Sequence, residues 1–232
     1  VTGVTDLRSL ELWVEANPPR INIEMLSRVW DAVEASIADW LIQTRGALRY
    51  SRDETELDGW GQGEWRVLQM VDGESRCQTT LCLAGWTVET DIADRRARGD
   101  DEKGWLIDES TATELLLLPQ FPESGKLIPA GIWVTDLYHL SNLTALLRAR
   151  PDDYAENEAH HVIDIDGVPV VNAGNRARRL LGLTGNEATD LFAADNDLET
   201  LRGKVYSMVA EEKARRRAAN LLGELSAKSE EN

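Results

Sequence analysis

The chain has 232 residues, 42% of them hydrophobic, and carries 41 acidic against 25 basic side chains for a formal net charge of −16. That length and apolar share fit one large globular domain, or one and a half, with a sizeable core and exclude a disordered chain. No apolar run approaches the ~20 residues of a membrane span, and the acidic excess argues against direct nucleic-acid binding, which needs clustered Lys and Arg.

The charge is uneven. Residues 200–232 hold seven bases and five acids, a balance of +2, while the other 36 acids and 18 bases leave the rest at −18. Two cysteines, Cys77 and Cys82, make no disulfide framework and suit a reducing cytosol. Residues 1–6 lack the basic-then-apolar pattern of a secretory signal.

In chain order, Leu7, Leu10, Leu12, Trp13 and Val14 form a short helix or extended arm that breaks at Asn17-Pro18-Pro19. Asn22 caps a helix from Ile23 to about Ile42, with Leu26, Val29, Trp30, Val33, Ile37, Trp40 and Leu41 on one face. Residues 46–76 are polar and glycine-rich. There Trp60 and Trp65 are expected to clamp a loop to the core, because Gly59-Trp60-Gly61-Gln62-Gly63 lacks the Lys and Ser/Thr of a phosphate loop.

The run from Cys77 to Trp86 is the densest uncharged stretch and the expected organising element. It reads as the start of a buried helix capped by Thr79 or Thr80, with Leu81, Ala84, Gly85, Val88 and Ile92 on one face. Ala84 and Gly85 allow close approach of another element, and Trp86 brings a large apolar surface.

Thr111 and Glu114 fit a capping box before Leu115–Leu118, which Pro119 ends, and a further helix is expected from Asp136 or Ser141 through Leu147. Two alternating apolar runs flank Asp166-Gly167 in Val162–Val171, the pattern of a two-residue hairpin. Pro169 places its strand at an edge or points outward.

Next comes a helix pair. Arg176–Leu181 has Ala177, Leu180 and Leu181 inward, and Gly182 stops it. Thr184 and Glu187 form a capping box for a second helix with Ala188, Leu191 and Phe192 inward. A long helix runs from Asn196-Asp197 through Leu225, with an apolar stripe at Leu198, Leu201, Val205 and Val209. Its middle, Glu211 to Arg217, is charged all round, and apolar residues return at Leu221, Leu222 and Leu225.

These readings predict a predominantly helical α+β fold with one small β-hairpin and a long C-terminal helix. The expected division is an arm over 1–20, a globular body over 21–196 and a helical extension over 197–232. The core is expected to include Trp30, Cys82, Ala84, Gly85, Trp86, Leu180, Leu181, Leu191 and Phe192.

Reactive groupings are sparse. Cys77 and Cys82 with His160 and His161 would be an irregular zinc set, since adjacent histidines are not the usual spaced pair. Cys77 with His139, His160 or His161 would be a nucleophile–base pair only by chance placement. Asp152, Asp153, Glu156 and Glu158 lack the order of a calcium loop and read as a solvated acidic loop. Residues 176–192 have the outline of a helix-turn-helix, but Gly185, Asn186, Glu187, Thr189 and Asp190 offer no cation to phosphates, so the pair is read as packing. The expectation is no catalytic residue, no metal and no cofactor.

Three segments together resemble a group of small proteins of actinobacteriophages and actinobacterial genomes. They are the Asn22–Trp40 helix, Cys77-x4-Cys82-Leu83-Ala84-Gly85-Trp86, and Leu180-Leu181-Gly182-Leu183-Thr184-x2-Glu187-Ala188-x2-Leu191-Phe192. The likeness covers roughly 20–42, 77–90 and 160–205. Gln78 stands where the group usually has Gly, and the middle segment, about 91–160, does not align with it. The resemblance implies a phage or actinobacterial source and a shared core, and carries no catalytic residue.

The expected function is therefore that of a non-enzymatic phage or phage-derived accessory protein that binds a protein partner or itself. Arg215, Arg216, Arg217, Leu221, Leu222 and Leu225 on the last helix are the expected contacts. The alternatives are an acidic DNA mimic, a virion structural component and an uncharacterised enzyme. The expected location is the cytoplasm of an infected host cell, or the virion.

Overall fold

Asp6, Asn22, Asn172, Thr184 and Asp197 each stand one residue before a helix, where a side-chain oxygen can satisfy the freed N–H groups of the first turn. Each does so: Asp6 accepts from the Ser9 N–H at 2.8 Å, Asn22 from Met25 at 3.0 Å, Asn172 from Gly174 at 2.8 Å, Thr184 from Glu187 at 3.3 Å and Asp197 from Thr200 at 2.7 Å. The helices they open are α1 (Leu7–Ala16), α2 (Ile23–Thr44), α4 (Ala173–Leu181), α5 (Gly185–Leu191) and α6 (Leu198–Glu230). The computed structural model describes residues 6–44, 56–57, 60–61, 67–70, 77–80, 82–100, 104–107, 111, 114–115, 120, 122–136, 143–154, 161–193 and 196–230. Readings that rested on the side chains of Ile37, Trp40, Leu41 and Trp60, or on Trp65, Leu81, Leu116–Leu118 and Pro119, lie outside the described residues.

A further helix, α3 (Leu83–Ala97), corrects the expected start of the central element. Thr79 and Thr80 do not cap it; they belong to strand β4 (Cys77–Thr80), paired antiparallel with β3 (Val67–Met70), Thr79 opposite Leu68 and Thr80 opposite Val67. Threonine is β-branched and favours a pleated strand as readily as a cap. The helix opens after Cys82, whose side chain makes no capping hydrogen bond, and its buried face includes Ala84, Gly85, Val88 and Ile92.

The described strands pair only antiparallel. Two-residue ladders join β1 (Glu56–Leu57) to β2 (Trp60–Gly61) and β5 (Lys126–Leu127) to β6 (Trp133–Val134). The largest sheet has the order β7 (Leu146–Arg148), β9 (Val168–Asn172), β8 (Val162–Ile165). The β8–β9 hairpin turns at Asp166 and Gly167, both with positive φ (52° and 80°), as a type I′ turn requires.

β9 is the central strand, so Pro169 is not on an edge. Proline is exposed there and the β7 ladder ends beside it. The Ala149 N–H donates to the Pro169 carbonyl at 2.9 Å, and the reciprocal bond is the one proline cannot make. The helix expected to reach Leu147 is a second correction: residues 143–144 are helical, but Leu146 pairs with Asn172 and Leu147 with Val171. A short run buried on both faces carries no period that separates strand from helix. Thr111 is itself helical and so is not the capping residue before that helix.

The protein is thus α+β and predominantly helical, with a long C-terminal helix. Among the described residues the interior has three parts. Leu26, Val29 and Val33 of α2 meet Leu83, Leu181, Leu191, Leu201 and Val205 in a helical core. Ile107, Ile128, Ile132, Val134 and Leu143 fill a second core against Val170 of the sheet. Between them, α3 and α4 pack closely through Ala84, Ala173 and Ala177, backed by Trp105, Leu147 and Val171. Of the expected core residues, Trp30, Cys82, Ala84, Gly85, Leu181 and Leu191 are buried. Trp86 and Phe192 are half-buried against the core, and Leu180 is half-buried.

Candidate functional site

The sequence after Pro18-Pro19 is Arg20-Ile21-Asn22, and these three residues tie α2, the α4–α5 corner and α6 together. Proline lacks an N–H, so the chain enters this segment with no ladder of its own to satisfy, and the backbone groups of 20–22 turn to other elements. The Arg20 N–H donates to Glu212 Oε1 at 2.9 Å, the Ile21 carbonyl accepts from Arg216 Nη2 at 3.0 Å, and the Asn22 N–H donates to the Leu181 carbonyl at 2.9 Å. The Arg20 guanidinium donates to the Gly182 carbonyl at 2.9 Å and pairs with Glu187.

Gly182 is what lets this segment come so close. It closes α4 with φ 67°, and the Gly182 and Leu183 N–H groups donate back to Arg179 and Arg178 in a Schellman arrangement. A Cβ on Gly182 would lie 2.1 Å from the Arg20 carbonyl oxygen. Glu187 does double duty, accepting from the Thr184 N–H at 2.8 Å and from Arg20. The hydrogen bond from Arg20, and then those from Thr184, outweigh its partial burial and hold its carboxyl down at about 2.

The charged middle of α6 is therefore not a spacer that leaves the body. Glu212 is 0% exposed, with Arg215 Nη1 at 3.5 Å and Arg216 Nε at 3.4 Å, and Arg216 reaches Glu24 on α2 at 2.6 Å. A carboxylate can be buried when backbone donors and guanidinium groups meet its oxygens, and Arg20, Arg215 and Arg216 supply both. Of the three expected steering arginines, Arg215 and Arg216 face this seat, and Arg217 is exposed.

Beyond the seat, α6 continues to Glu230 and its character changes. α2 begins beside Arg216 and runs back toward Arg202, which pairs with Glu34, so α2 does not cover the last turns. α1 does pack on α6, and Ala218 of α6 is buried. Leu222 is half-buried, while Leu221 is 48% and Leu225 38% exposed. Arg217, Leu221, Leu225 and Lys228 follow one another at helical spacing, which sets them in one stripe. Leu7 and Leu12 of α1 are exposed as well. Two neighbouring helices thus present apolar side chains outward, among surface charges.

The other conspicuous polar cluster lies under the sheet. Asp153 is 2% exposed, so it is not part of a solvated acidic loop as expected. It sits in a short 3-10 turn (Pro151–Tyr154) and accepts from the Arg150 N–H at 2.7 Å, from Arg176 and from Arg179 at 2.7 Å. Arg176 and Arg179 are three apart on α4, on one side of the helix. Burial by itself would raise the Asp153 carboxyl, but the Arg176 hydrogen bond and charge, the Arg150 N–H and Arg179 outweigh it and hold it below the ordinary range. Asp91 of α3 pairs with Arg150 and, at 3.4 Å, with Arg95, which also reaches Asp152 at 2.9 Å. Asp153, held below the ordinary range by its guanidinium partners, is a poor proton acceptor, and the network joins α3 and α4 to the end of β7.

The groups considered for metal or nucleophilic chemistry lie on several elements. Cys77 lies in β4, and Cys82 is buried ahead of α3. Burial pushes the Cys82 thiol up to about 11, beyond the pull of the Gly85 and Ala84 N–H groups, so it is not a thiolate near neutral pH. His161 is half-buried just before β8, and His139 and His160 lie outside the described residues. No group of three His, Cys, Asp or Glu side chains able to hold a metal occurs among the described residues. Within those residues no helix is long and apolar enough to cross a membrane. Compared with protein-family models, curated proteins and solved structures, the chain has no match.

Proposed function

We propose that this chain is a non-enzymatic accessory protein of phage or phage-derived origin that acts by holding another protein, and that the outer end of α6 is its contact surface. The observation that carries this reading is the exposure of Leu221 and Leu225 in line with Arg217, on a helix whose preceding turns are seated in the body. Exposed apolar side chains that lie together and are rimmed by polar residues mark interaction sites. The buried carboxylates Asp91 and Asp153 are engaged in ion pairs that join elements, which turns the search for a recognition site to the surface.

The test is affinity capture from a host lysate with the full chain and with Leu221→Glu, Leu225→Glu, followed by mass spectrometry. A partner held by the parent and lost at least tenfold by the double variant, at unchanged melting temperature, supports the reading. A partner retained by the double variant removes α6 from it.

A further inference from the structure

We propose that the face of α6 under α1 is a docking groove for an amphipathic helix, and that its occupant in an assembled form is the α1 of a second copy of this chain, exchanged about Asn17-Pro18-Pro19. This rests on the reading of α6 as the contact surface and names the partner.

α1 is loosely attached where it lies. It buries one side chain, Leu10 at 5% exposure, and α6 is the element it packs on. The hinge is three residues long: Asn17 closes α1 by donating to the Trp13 and Val14 carbonyls, and Arg20 is fixed to Glu212 and Gly182. Pro18 and Pro19 between them are exposed and have no N–H to lose, so swinging α1 away breaks no backbone ladder in the hinge. A short, stiff hinge next to a fixed anchor favours exchange of the element beyond it over rearrangement of the anchor.

The same occupant follows from the contact itself: α1 is the helix that this face of α6 already holds within one chain, and a second copy offers the same side chains to it. Exchange would also bring the exposed Leu7 and Leu12 of one chain near the exposed leucines of the other.

Within one chain the short tether gives α1 an effective concentration in the millimolar range, so the monomer prevails in dilute solution and exchange shows when the intrachain route is closed. Deleting Pro18 and Pro19 from the full chain closes it. The expected result is a sedimentation mass twice that of the parent, returning to the monomer when Leu10→Asp is added. A hinge-deleted chain that stays monomeric, or a dimer that survives Leu10→Asp, overturns the proposal. Should the deletion prevent folding, the parent chain refolded at high concentration and then diluted is expected to retain a dimer fraction that Leu10→Asp abolishes; a refolded parent that is wholly monomeric overturns it equally. Leu221→Glu, Leu225→Glu that loses a captured partner while the hinge-deleted chain stays monomeric would sink the exchange and leave the contact surface standing.

Discussion

Gly182 and Glu187 show how few atoms set the geometry of the Arg20 seat. Gly182→Ala asks a residue with a Cβ to hold φ 67° and places that carbon 2.1 Å from the Arg20 carbonyl, so either α4 or the Arg20 segment must shift. Left-handed strain and overpacking each cost about 1–3 kcal/mol. The expected loss is roughly 3 kcal/mol in a urea or thermal melt, whereas Gly185→Ala, which meets nothing within 4 Å, is expected to leave the midpoint nearly unchanged. Glu187 adds a pH dependence. Its carboxyl titrates at about 2 in the folded chain against 4.5 in the unfolded one, so the unfolded state takes up a proton first as pH falls. The stability it contributes is complete above pH 4.5 and drains away as pH falls toward about 2. Glu187→Gln is expected to flatten melting temperature against pH across that window; a parent and variant with the same slope there would show that the Arg20 pair does not form.

Among the elements, those with local signals were legible and those decided by distant partners were not. The caps at Asn22, Thr184 and Asp197, the Gly182 stop and the Asp166-Gly167 turn each depend on residues within a few positions, and each reads directly from the chain. Leu146–Arg148 depends on Val170 and Val171 to become a strand, and Thr79-Thr80 on Val67 and Leu68, so local pattern misassigned both. The buried ion cluster was hidden for the same reason: Asp152-Asp153 looks like a solvated acidic loop until Arg176 and Arg179 are folded against it, though two arginines three apart on the helix that otherwise carries Ala177 and Leu181 were a usable hint. Breaking a buried ion pair by removing one partner costs about 3–5 kcal/mol. Asp153→Ala is expected to fall in that range and to loosen the 3-10 turn first. Amide hydrogen exchange of Arg150 and of the residues after it checks this, since the Arg150 N–H loses its acceptor.

For the whole molecule, the decisive fact is that α6 is both core and surface. Leu201 and Val205 complete the helical core, Glu212 receives Arg20, and only the turns after Ala218 present exposed leucines. The charged run at 211–217 gave no sign of this in the sequence, because a carboxylate among arginines looks solvated until the backbone donor that buries it is known. Truncation separates the two roles. A chain ending at Ser207 loses Glu212 and Arg216 together with their bonds to residues 20–24 and is expected to unfold or to melt far below the parent. A chain ending at Asn220 keeps the seat and is expected to retain the cooperative transition while losing partner capture. If the Ser207 truncation melts like the parent, the seat is not part of the stabilising framework.

The Arg20–Asn22 seat also governs when the protein can fold. Its contacts with α6 join positions 192 and 195 residues apart, so these cannot form until the ribosome has released residues 212–216. At roughly 5–20 residues per second, the part of the Leu26, Val29 and Val33 face that Leu201 and Val205 cover stays open for on the order of ten to forty seconds after α2 is made, Leu83 of α3 being an earlier partner. Closing a loop of that length costs only modestly more entropy than closing a shorter one, because the penalty grows with the logarithm of length. Delay rather than closure is the hazard. The nascent chain is therefore expected to depend on holding factors that cover α2 during synthesis, and to aggregate when translation is stalled ahead of Glu212.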